Sequence, residues 1–350
     1  MPSSIRRVLA APDKFKGTAS AADIAAAIGH ACWELGIDCV ERPMADGGDG
    51  ILDVLGGANR HTTVTGPLGD PIRAGWRLSG DTAIIEMAQA SGLVAAGGAE
   101  RNRPLDATTT GTGELIDHAL DAGVKRIIVG LGGSATTDGG FGAIRAINAI
   151  ARIKQVELLV ACDVTTTFVD AAATFGPQKG ATPAEVKMLE RRLERLVQMF
   201  ADDFDIDVTT IEGGGAAGGL GAALAALGGR LVPGFELIAE EVGVFDLLDP
   251  DADVEHSETG AVDLIITGEG RLDASSFAGK VVGGFVELGA DYGLPVAVVV
   301  GSIDDAALQM LPDYVTVVAL DELVDEQAAR AEPKRHVEAA AHLLLERLQA

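Results

Sequence analysis

The chain has 350 residues, of which 47% are apolar and 4% aromatic, and its formal net charge is −25 at pH 7. This length is enough for about two domains of roughly 100–200 residues each. The acidity excludes proteins that bind nucleic acid or anionic membranes, because such partners need a basic surface, and no uncharged apolar run reaches the ~18 residues of a membrane-spanning helix.

The N-terminal segment MPSSIRRVLAAPDKFKG is expected to form a strand rather than a signal peptide, because its apolar stretch is short and two lysines follow directly. The three cysteines, Cys32, Cys39 and Cys162, show no metal-binding spacing. This cysteine usage fits a reducing compartment, so we expect a cytoplasmic protein. The six histidines lie outside the glycine-rich motifs, and acid–base chemistry is therefore expected to fall to carboxylates.

Short apolar runs alternate with amphipathic segments along the chain, a pattern typical of α/β proteins. The predicted strands are 6–11, 38–42, 61–65, short antiparallel strands within 66–88, then 126–129, 157–161, 263–267, 295–300 and 314–319. The predicted helices are 20–35, a short helix after residue 50, then 112–122, 141–150, 183–200, 218–227, 235–248, 280–292 and 331–348. Ser20 and Gly36 are suitable caps for the first helix.

The order of these elements predicts two domains. Two parallel-type strands lie near the N-terminus, and three more follow the polar, acidic segment 249–260, which is predicted to be a linker. We therefore expect an α/β fold in which a flavodoxin-like doubly wound parallel sheet is interrupted by an inserted mixed α/β domain. The discontinuous domain is predicted at 1–60 and 255–350, and the inserted domain at 61–254.

The best candidate for a phosphate-binding loop is the segment 132–140, GGSATTDGG, which lies between a predicted strand and a predicted helix. Glycines let backbone N–H groups approach phosphate oxygens, and the helix N-terminus adds positive potential. A plain strand–helix turn would carry similar glycines. Ser134, Thr136 and Asp138 in the same loop make phosphate binding as credible as that alternative.

A second glycine-rich segment, 213–218, matches the dinucleotide-binding pattern GxGxxG. That reading requires a strand directly before the glycines and an acidic residue at the end of the next strand. The segment 206–211 could supply the first strand, but 235–248, where the acidic residue would lie, has a helical pattern. The P-loop pattern GxxxxGK[ST] does not occur in the sequence.

Charged side chains near the strand ends offer what phosphoryl transfer needs, namely cations for the phosphates and carboxylates for Mg²⁺ and for the acceptor hydroxyl. The cations next to or near glycines are Lys16, Lys179, Lys280 and Arg271. The carboxylates at strand ends are Asp46, Asp49, Asp163, Glu269 and Asp273. Each has an ordinary alternative, because such lysines are often solvated surface residues and such aspartates are often helix N-caps.

Ten motifs along the chain, taken together, resemble those of the bacterial glycerate kinase family. They are APDKFKG, PMADGGDG, GPLG, IEMAQASGL, ATTTGTGELI, GGSATTDGG, ACDVT, FGPQKGAT, GGGAAGGLGAAL and TGEGRLDASSFAGK, in order between residues 8 and 302. The resemblance implies a two-domain kinase that uses ATP and Mg²⁺ on D-glycerate, with its site in the cleft between the domains. It also implies a phosphoglycerate product, commonly the 2-phospho isomer.

The sequence departs from the family pattern beside the candidate loops. Lys14 replaces a serine and Thr137 replaces an asparagine, while residues 166–168 are Thr-Thr-Phe instead of Asn-Pro-Leu. The link that leads from the helix ending near Ile150 into ELLVA is shorter than the family pattern. These changes keep open a related kinase that acts on another small hydroxy acid.

The motifs and the resemblance together define the candidate site. The predicted catalytic residues are Asp46, Asp163, Lys16 and Arg271; the predicted ATP-binding residues are Gly132, Gly133, Ser134, Thr136 and Lys280; the predicted substrate-binding residues are Asp13, Lys179 and Ser91; and the predicted Mg²⁺ ligands are Asp163 and Glu269. Asp46 is the first candidate for orienting or deprotonating the acceptor hydroxyl.

The expected partner is a small-molecule substrate, glycerate, without nucleic acid or membrane, and a homo-oligomer is compatible with the sequence. A nucleotide-dependent oxidoreductase and an inactive binding homologue stay as weaker alternatives. The retained carboxylates and Lys280 argue against the inactive homologue, because a protein without activity has no need to keep them.

Overall fold

The structure is a computed structural model that describes residues 5–148, 150–249 and 262–349. The strands are β1 (Arg7–Ala10), β2 (Asp38–Glu41), β3 (Arg60–Thr65), β4 (Pro71–Ser79), β5 (Thr82–Glu86), β6 (Arg126–Gly130), β7 (Glu157–Cys162), β8 (Arg230–Pro233), β9 (Leu264–Leu272), β10 (Val296–Ile303) and β11 (Val315–Ala319). The helices up to the middle of the chain are α1 (Ala21–Glu34), α2 (Ile51–Val54), α3 (Ala88–Ser91), α4 (Thr110–Asp121), α5 (Phe141–Ala146), α6 (Ile150–Ile153), α7 (Ala171–Phe175) and α8 (Pro183–Phe204). Those that follow are α9 (Ala216–Ala226), α10 (Gly234–Glu241), α11 (Val244–Leu248), α12 (Val281–Tyr292), α13 (Asp305–Leu308), α14 (Glu326–Ala331) and α15 (Pro333–Gln349).

The chain divides into two compact units. The discontinuous unit comprises Met1–Asp46 and Phe235–Ala350, and the central unit comprises Gly47–Gly234. The predicted domain boundaries, 60/61 and 254/255, differ from these limits. The later boundary and nearly all of the predicted linker fall in 250–261, outside the described residues.

Local contacts explain where the units begin and end. Helix α2 groups with the central unit because the Glu86 carboxylate at the end of β5 accepts hydrogen bonds from the N–H groups of Gly50 and Leu52. Phe235 groups with the discontinuous unit because its ring packs edge-on against Phe285 of α12, with the ring centroids 5.1 Å apart.

The discontinuous unit contains a parallel five-stranded sheet in the order β11-β10-β9-β1-β2. When its strands are numbered within the unit, this is the flavodoxin-type order 2-1-3-4-5 read from the opposite edge, which confirms the predicted fold class. Helix α1 begins after Ser20, the predicted N-cap, and its start forms a capping box in which the Ser20 hydroxyl accepts from the Asp23 N–H at 3.1 Å. Its apolar face packs against α15 through residues such as Ile24, Ile28 and Val337.

Strand β9 is longer than predicted. The sequence predicts a strand at 263–267 followed by a loop, whereas the strand continues to Leu272 and pairs with β10 as far as Leu272 and Ile303. The prediction was wrong because the glycines at 268 and 270 suggest a turn. In the sheet Gly268 lies against the backbone oxygen of Val299, so a side chain at 268 has no room there.

The central unit contains a mixed sheet in the order β3-β4-β5-β6-β7-β8. The first three strands are antiparallel, as predicted, and the strands from β5 to β8 are parallel. The edge strand β8 was not predicted from the sequence. The main apolar core contains Ile127, Val129 and Val160 from the sheet and Leu189 from α8.

Some predicted helices and strands of the chain need correction. The helix predicted at 141–150 ends at Ala146, because Ile147 is extended, and a separate short turn of helix follows at α6. The helix predicted at 235–248 is divided into α10 and α11 by Gly243, whose φ is +71°. The strand needed at 206–211 for dinucleotide binding is absent from that described segment, which holds a 3₁₀ turn at Val208–Thr210. This removes the sequence support for a dinucleotide-binding oxidoreductase.

Helix α9 starts with residues of irregular conformation, since Ala217, Gly218 and Gly219 all have positive φ, and it is regular only after them. Within the described part of the chain, no helix has the length and apolar character needed to cross a membrane.

Candidate active site

The glycine-rich loop, residues 131–140, leaves the carboxyl end of β6 and enters α5. Gly132 lies directly on the backbone of Gly48 and Asp49, so a Cβ at this position would collide with it. Gly133 has a φ of +70°, in the left-handed region that glycine adopts without strain. The close backbone contact at 132 and the positive φ at 133 explain why both residues are glycine.

The outer half of this loop presents backbone N–H groups. The N–H groups of Gly132, Gly133 and Ser134 have no hydrogen-bond acceptor among the described residues. The carbonyl of Gly133, in contrast, accepts from the N–H of Leu93 at 2.8 Å. Consecutive unpaired N–H groups around a left-handed residue form the kind of concave site that binds anions.

The inner half of the loop is buried. Thr136 has no exposed surface, and its hydroxyl donates to the carbonyl of Ala217 at 3.3 Å. Thr137 is also buried, and its Oγ1 has no partner in the described structure. The predicted phosphate contacts of the loop therefore lie most favourably at its outer half, and Thr136 contacts the protein interior.

Asp138 holds the loop to two helices. One carboxylate oxygen accepts from the N–H and the hydroxyl of Thr109, both at 2.9 Å, and from the N–H of Gly142 at 3.2 Å. The other accepts from the N–H of Gly140 at 3.2 Å. Because Thr109 precedes α4 and Gly142 lies in the first turn of α5, this carboxylate satisfies N–H groups at both helix starts.

Lys179 and Ser91, predicted to bind substrate, lie beneath the loop. Lys179 is 3% exposed and its Nζ donates to the carbonyl of Thr136 at 2.7 Å. Burial lowers the pKa of Lys179 to about 7, against the opposing effect of Asp138. Ser91 is fully buried; its Oγ accepts from the Thr112 hydroxyl at 2.9 Å and its carbonyl accepts from the N–H of Ala135 at 3.0 Å.

Two further carboxylates belong to the central unit. Asp163 is half-buried just beyond β7, and its charge contributes to the raised pKa of Cys162, which is due first to burial. Glu86, which the sequence reading did not select, is buried at the end of β5 and holds the segment around Gly50. Burial raises its pKa, against the hydrogen bonds from Gly50 and Leu52. The sequence feature that could have identified Glu86 is a carboxylate inside the apolar run AIIEMA.

A second group of predicted residues meets in the discontinuous unit, around Glu269 of β9. Oε1 of Glu269 is buried and has no hydrogen-bond partner among the residues that the structure describes. The pKa of Glu269 is raised to about 7, first by burial and also by the charges of Asp13 and Asp273, while Ser276 and Lys280 oppose the shift. Ser276 and Lys280 therefore offset only part of the effect of burial on the Glu269 carboxylate.

The neighbours of Glu269 are held in place by short local contacts. Asp273 accepts from the N–H of Ser275 at 2.8 Å and from its hydroxyl at 2.6 Å, and the hydroxyl bond is the main reason that its pKa is lowered. Lys280, at the N-cap of α12, donates to Oγ of Ser275 at 3.0 Å. Asp13 accepts from the N–H of Lys14 at 2.7 Å.

The remaining predicted cations and Asp46 lie in the same unit with different surroundings. Lys16 is exposed, and its backbone passes close to Gly270. Arg271 is exposed and forms an ion pair with Asp304, at 2.8 and 3.2 Å from the two carboxylate oxygens. Asp46 is half-buried after β2, at the end of the first segment of the unit.

The structure thus assembles two groups of predicted residues, each within its own unit. The central group is Ser91, Gly132, Gly133, Ser134, Thr136 and Lys179, with Asp163 on the adjacent strand end. The other group is Asp13, Glu269, Asp273 and Lys280. Gly132, Gly133, Ser134 and Asp163 follow the carboxyl ends of parallel strands, and Glu269 lies in the carboxyl-terminal half of β9, the region where ligands bind in sheets of this kind.

Comparison with known proteins gives a consistent family. The sequence profile of the Glycerate kinase family matches residues 8–152 and 146–349. The chain is 38% identical to Glycerate 2-kinase of Escherichia coli K12 over 339 residues, covering 85% of this chain and 86% of that protein. It is also 38% identical to Glycerate kinase of Halalkalibacterium halodurans over 380 residues, covering 92% and 96%.

A solved structure gives the same result. The chain resembles a crystal structure assigned by name to glycerate kinase 2 of Salmonella typhimurium LT2, with a TM-score of 0.77, 33% identity and 98% coverage of both chains. The two segments of the profile match overlap at residues 146–152. The chain belongs to the glycerate kinase family.

Proposed function

We propose that the protein is an ATP- and Mg²⁺-dependent glycerate kinase that converts D-glycerate to 2-phosphoglycerate. The observation that carries the proposal is the row of unpaired N–H groups at Gly132, Gly133 and Ser134 in a chain of this family. The 2-phospho product is supported by the name of the Escherichia coli relative, a glycerate 2-kinase.

In this proposal the outer half of the glycine-rich loop binds phosphate oxygens of ATP. Backbone N–H groups that are already fixed stabilise the charge of the transferred group without reorganising during the reaction. Lys280, at the N-terminus of α12, and Lys16 and Arg271 neutralise further phosphate or carboxylate charge. The pairing of Arg271 with Asp304 means that this arginine would exchange one anionic partner for another.

The residues around Glu269 fit a magnesium ion. Mg²⁺ prefers oxygen ligands, chiefly carboxylates, and the buried, unpartnered Oε1 of Glu269 lies among the charges of Asp13 and Asp273. We propose Glu269 and Asp163 as the protein residues that hold it. When bound, the ion would neutralise phosphate charge.

The acceptor hydroxyl needs a group that orients it and takes its proton. Asp46 is proposed for this role, and Asp13 for binding glycerate. Lys179 and Ser91 are proposed to support substrate binding through the loop that they hold, because both side chains are buried and hydrogen-bonded beneath it. A cytoplasmic location is proposed as well, supported by three free cysteines.

The test is ADP release by the purified protein with Mg·ATP, with and without D-glycerate, followed by identification of the phosphoglycerate isomer by NMR. Glycerate-dependent turnover to the 2-phospho isomer is the expected result. Asp46→Asn with full turnover would remove Asp46 from the mechanism.

A second candidate function is phosphorylation of another small hydroxy acid. It is favoured by Thr137, whose buried Oγ1 lacks a partner where the family pattern has asparagine. Nucleotide binding without glycerate turnover would support it, and a screen of other hydroxy acids with the same ADP assay would then identify the acceptor.

A further inference from the structure

Asn102 is a buried amide that joins two loops of the central unit. It lies in the segment between α3 and α4, with 8% of its surface exposed. Its Nδ2 donates to the carbonyl of Ala135 at 3.0 Å and to the carbonyl of Lys179 at 2.8 Å. Both amide hydrogens are used, and a flipped amide would face two carbonyl oxygens with its own oxygen, so the orientation is fixed.

Lys179 also connects the two loops by hydrogen bonds. Its Nζ donates to the carbonyl of Thr136, the residue that follows Ala135 in the glycine-rich loop. Its own carbonyl accepts from Asn102. Two consecutive carbonyls of the loop are therefore held by one amide and one amino group, and Asn102 also fixes the backbone that carries this amino group.

The turn that carries Lys179 is held tightly. Gly180 has a φ of +91°, and a Cβ there would collide with the carbonyl oxygen of Ala99, three residues before Asn102. The 3₁₀ turn Pro177–Lys179 is therefore followed by a residue packed closely against the segment that leads to Asn102.

Carbonyl groups and N–H groups of the glycine-rich loop differ in their hydrogen bonding. The carbonyls of Gly133, Ala135 and Thr136 all accept hydrogen bonds from the protein. The N–H groups of Gly132, Gly133 and Ser134 have no acceptor within the described residues. At the outer half of the loop these three N–H groups are therefore available to an anion.

We propose that Asn102 is a positioning residue for the phosphate-binding half of the glycine-rich loop. It acts through Ala135, directly, and through Lys179 and Thr136. The inference rests on the proposed function, because that function assigns the N–H groups at 132–134 to the phosphates of ATP.

The test compares Asn102→Ala with Asn59→Ala, a matched control in the same unit. Asn59 also makes two side-chain hydrogen bonds to backbone, with the carbonyl and N–H of Leu78 in β4, but it is exposed and lies directly before β3, outside the glycine-rich loop. For Asn102→Ala we expect kcat/KM for Mg·ATP to fall about 100-fold, as for a misplaced binding group, with a much smaller change in KM for glycerate. Asn59→Ala should keep the kinetic constants of the parent.

Hydrogen exchange measured by mass spectrometry gives a readout independent of turnover. In Asn102→Ala the peptides covering 131–140 should exchange faster than in the parent, while they should be unchanged in Asn59→Ala. Asn102→Ser retains a donor in a smaller side chain and should show the same effects more weakly. It replaces Asn102→Ala in both measurements if that variant does not fold.

The proposal is overturned if a folded Asn102 variant keeps the parent kcat/KM for Mg·ATP, or if glycerate KM and Mg·ATP KM rise together. Unchanged exchange at 131–140 overturns it as well. If the parent itself fails to phosphorylate glycerate, the proposed function fails; the exchange data and Mg·ATP binding by the same variants then decide the role of Asn102.

Discussion

At the scale of one residue, the burial of Lys179 makes the stability of the folded protein depend on pH. Its pKa is lowered from 10.5 to about 7 by burial, so the unfolded chain binds its proton more tightly than the folded protein does. Between pH 7 and about 10 the unfolded state therefore carries more protons, and stability rises with pH in that range. Below pH 7 Lys179 is charged in the folded protein, and burial of this charge lowers the free energy of unfolding.

Lys179→Met tests this linkage, because it removes the titrating group and keeps a long side chain. The free energy of unfolding of the parent, relative to the variant, should increase by about 1 kcal/mol per pH unit above pH 7. Urea denaturation of both proteins at pH 6, 7, 8 and 9 measures it. Parallel stability profiles would show that Lys179 titrates with an ordinary pKa.

Glu86 makes stability change with pH in the opposite direction. Burial raises its pKa above the usual 4.5, so the stability present below pH 4.5 is lost as pH rises through the folded-state pKa. Glu86→Gln removes the buried charge but keeps an oxygen for the N–H groups of Gly50 and Leu52. The variant should be more stable than the parent at pH 8, and the difference should vanish below pH 4.5, as thermal denaturation at both pH values would show. A parent that is more stable at pH 8 would contradict this sign.

At the scale of the element, the glycine-rich loop depends on close backbone contact. Gly132→Ala would place a Cβ against the backbone of Gly48 and Asp49, which cannot rotate away as a side chain can. We expect a loss of stability of about 1–3 kcal/mol, typical of overpacking, with turnover reduced because the N–H groups at 132–134 shift. Denaturant unfolding and the ADP assay measure the two effects.

Gly69→Ala is the control for this substitution. Gly69 has a φ of +95° and open space where a Cβ would be, so the change adds backbone strain without a collision. It should destabilise the protein modestly and leave turnover at the parent level. If Gly132→Ala behaves like this control, the contact with Gly48 and Asp49 does not set the loop geometry.

The elements also show which features a sequence can predict. The start of α1 was predicted correctly, because the Ser20–Asp23 capping box depends on neighbouring residues only. The end of β9 was not, since pairing with β10, which lies far along the chain, overrides the turn preference of two glycines. The contacts of Asn102, Glu86 and Lys179 depend on burial and on backbone groups far along the chain. An isolated asparagine in a charged stretch gives no sequence signal of such contacts.

At the scale of the whole molecule, the two units differ in how the chain builds them. The main apolar cluster of the central unit, among the described residues, extends from Val64 to Leu231, and the sheet contains β3 to β8 in unbroken sequence order. In the discontinuous unit β1 lies between β2 and β9, so the middle of the sheet needs both ends of the chain. Contacts between such distant segments cost loop-closure entropy before they contribute stability.

This difference predicts how fragments behave. A fragment of residues 47–234 should fold alone, because its sheet and core are complete, and should show a cooperative thermal transition by circular dichroism. A fragment of residues 235–350 should remain largely unfolded, because without β1 the edge of β9 that pairs in the full chain is open and α15 loses the apolar face of α1. Adding residues 1–46 as a separate peptide should restore structure to the second fragment and leave the first unchanged. A cooperative transition in 235–350 alone would show that β9, β10 and β11 form a stable sheet without the N-terminal strands, and an unfolded 47–234 would show that its core is insufficient.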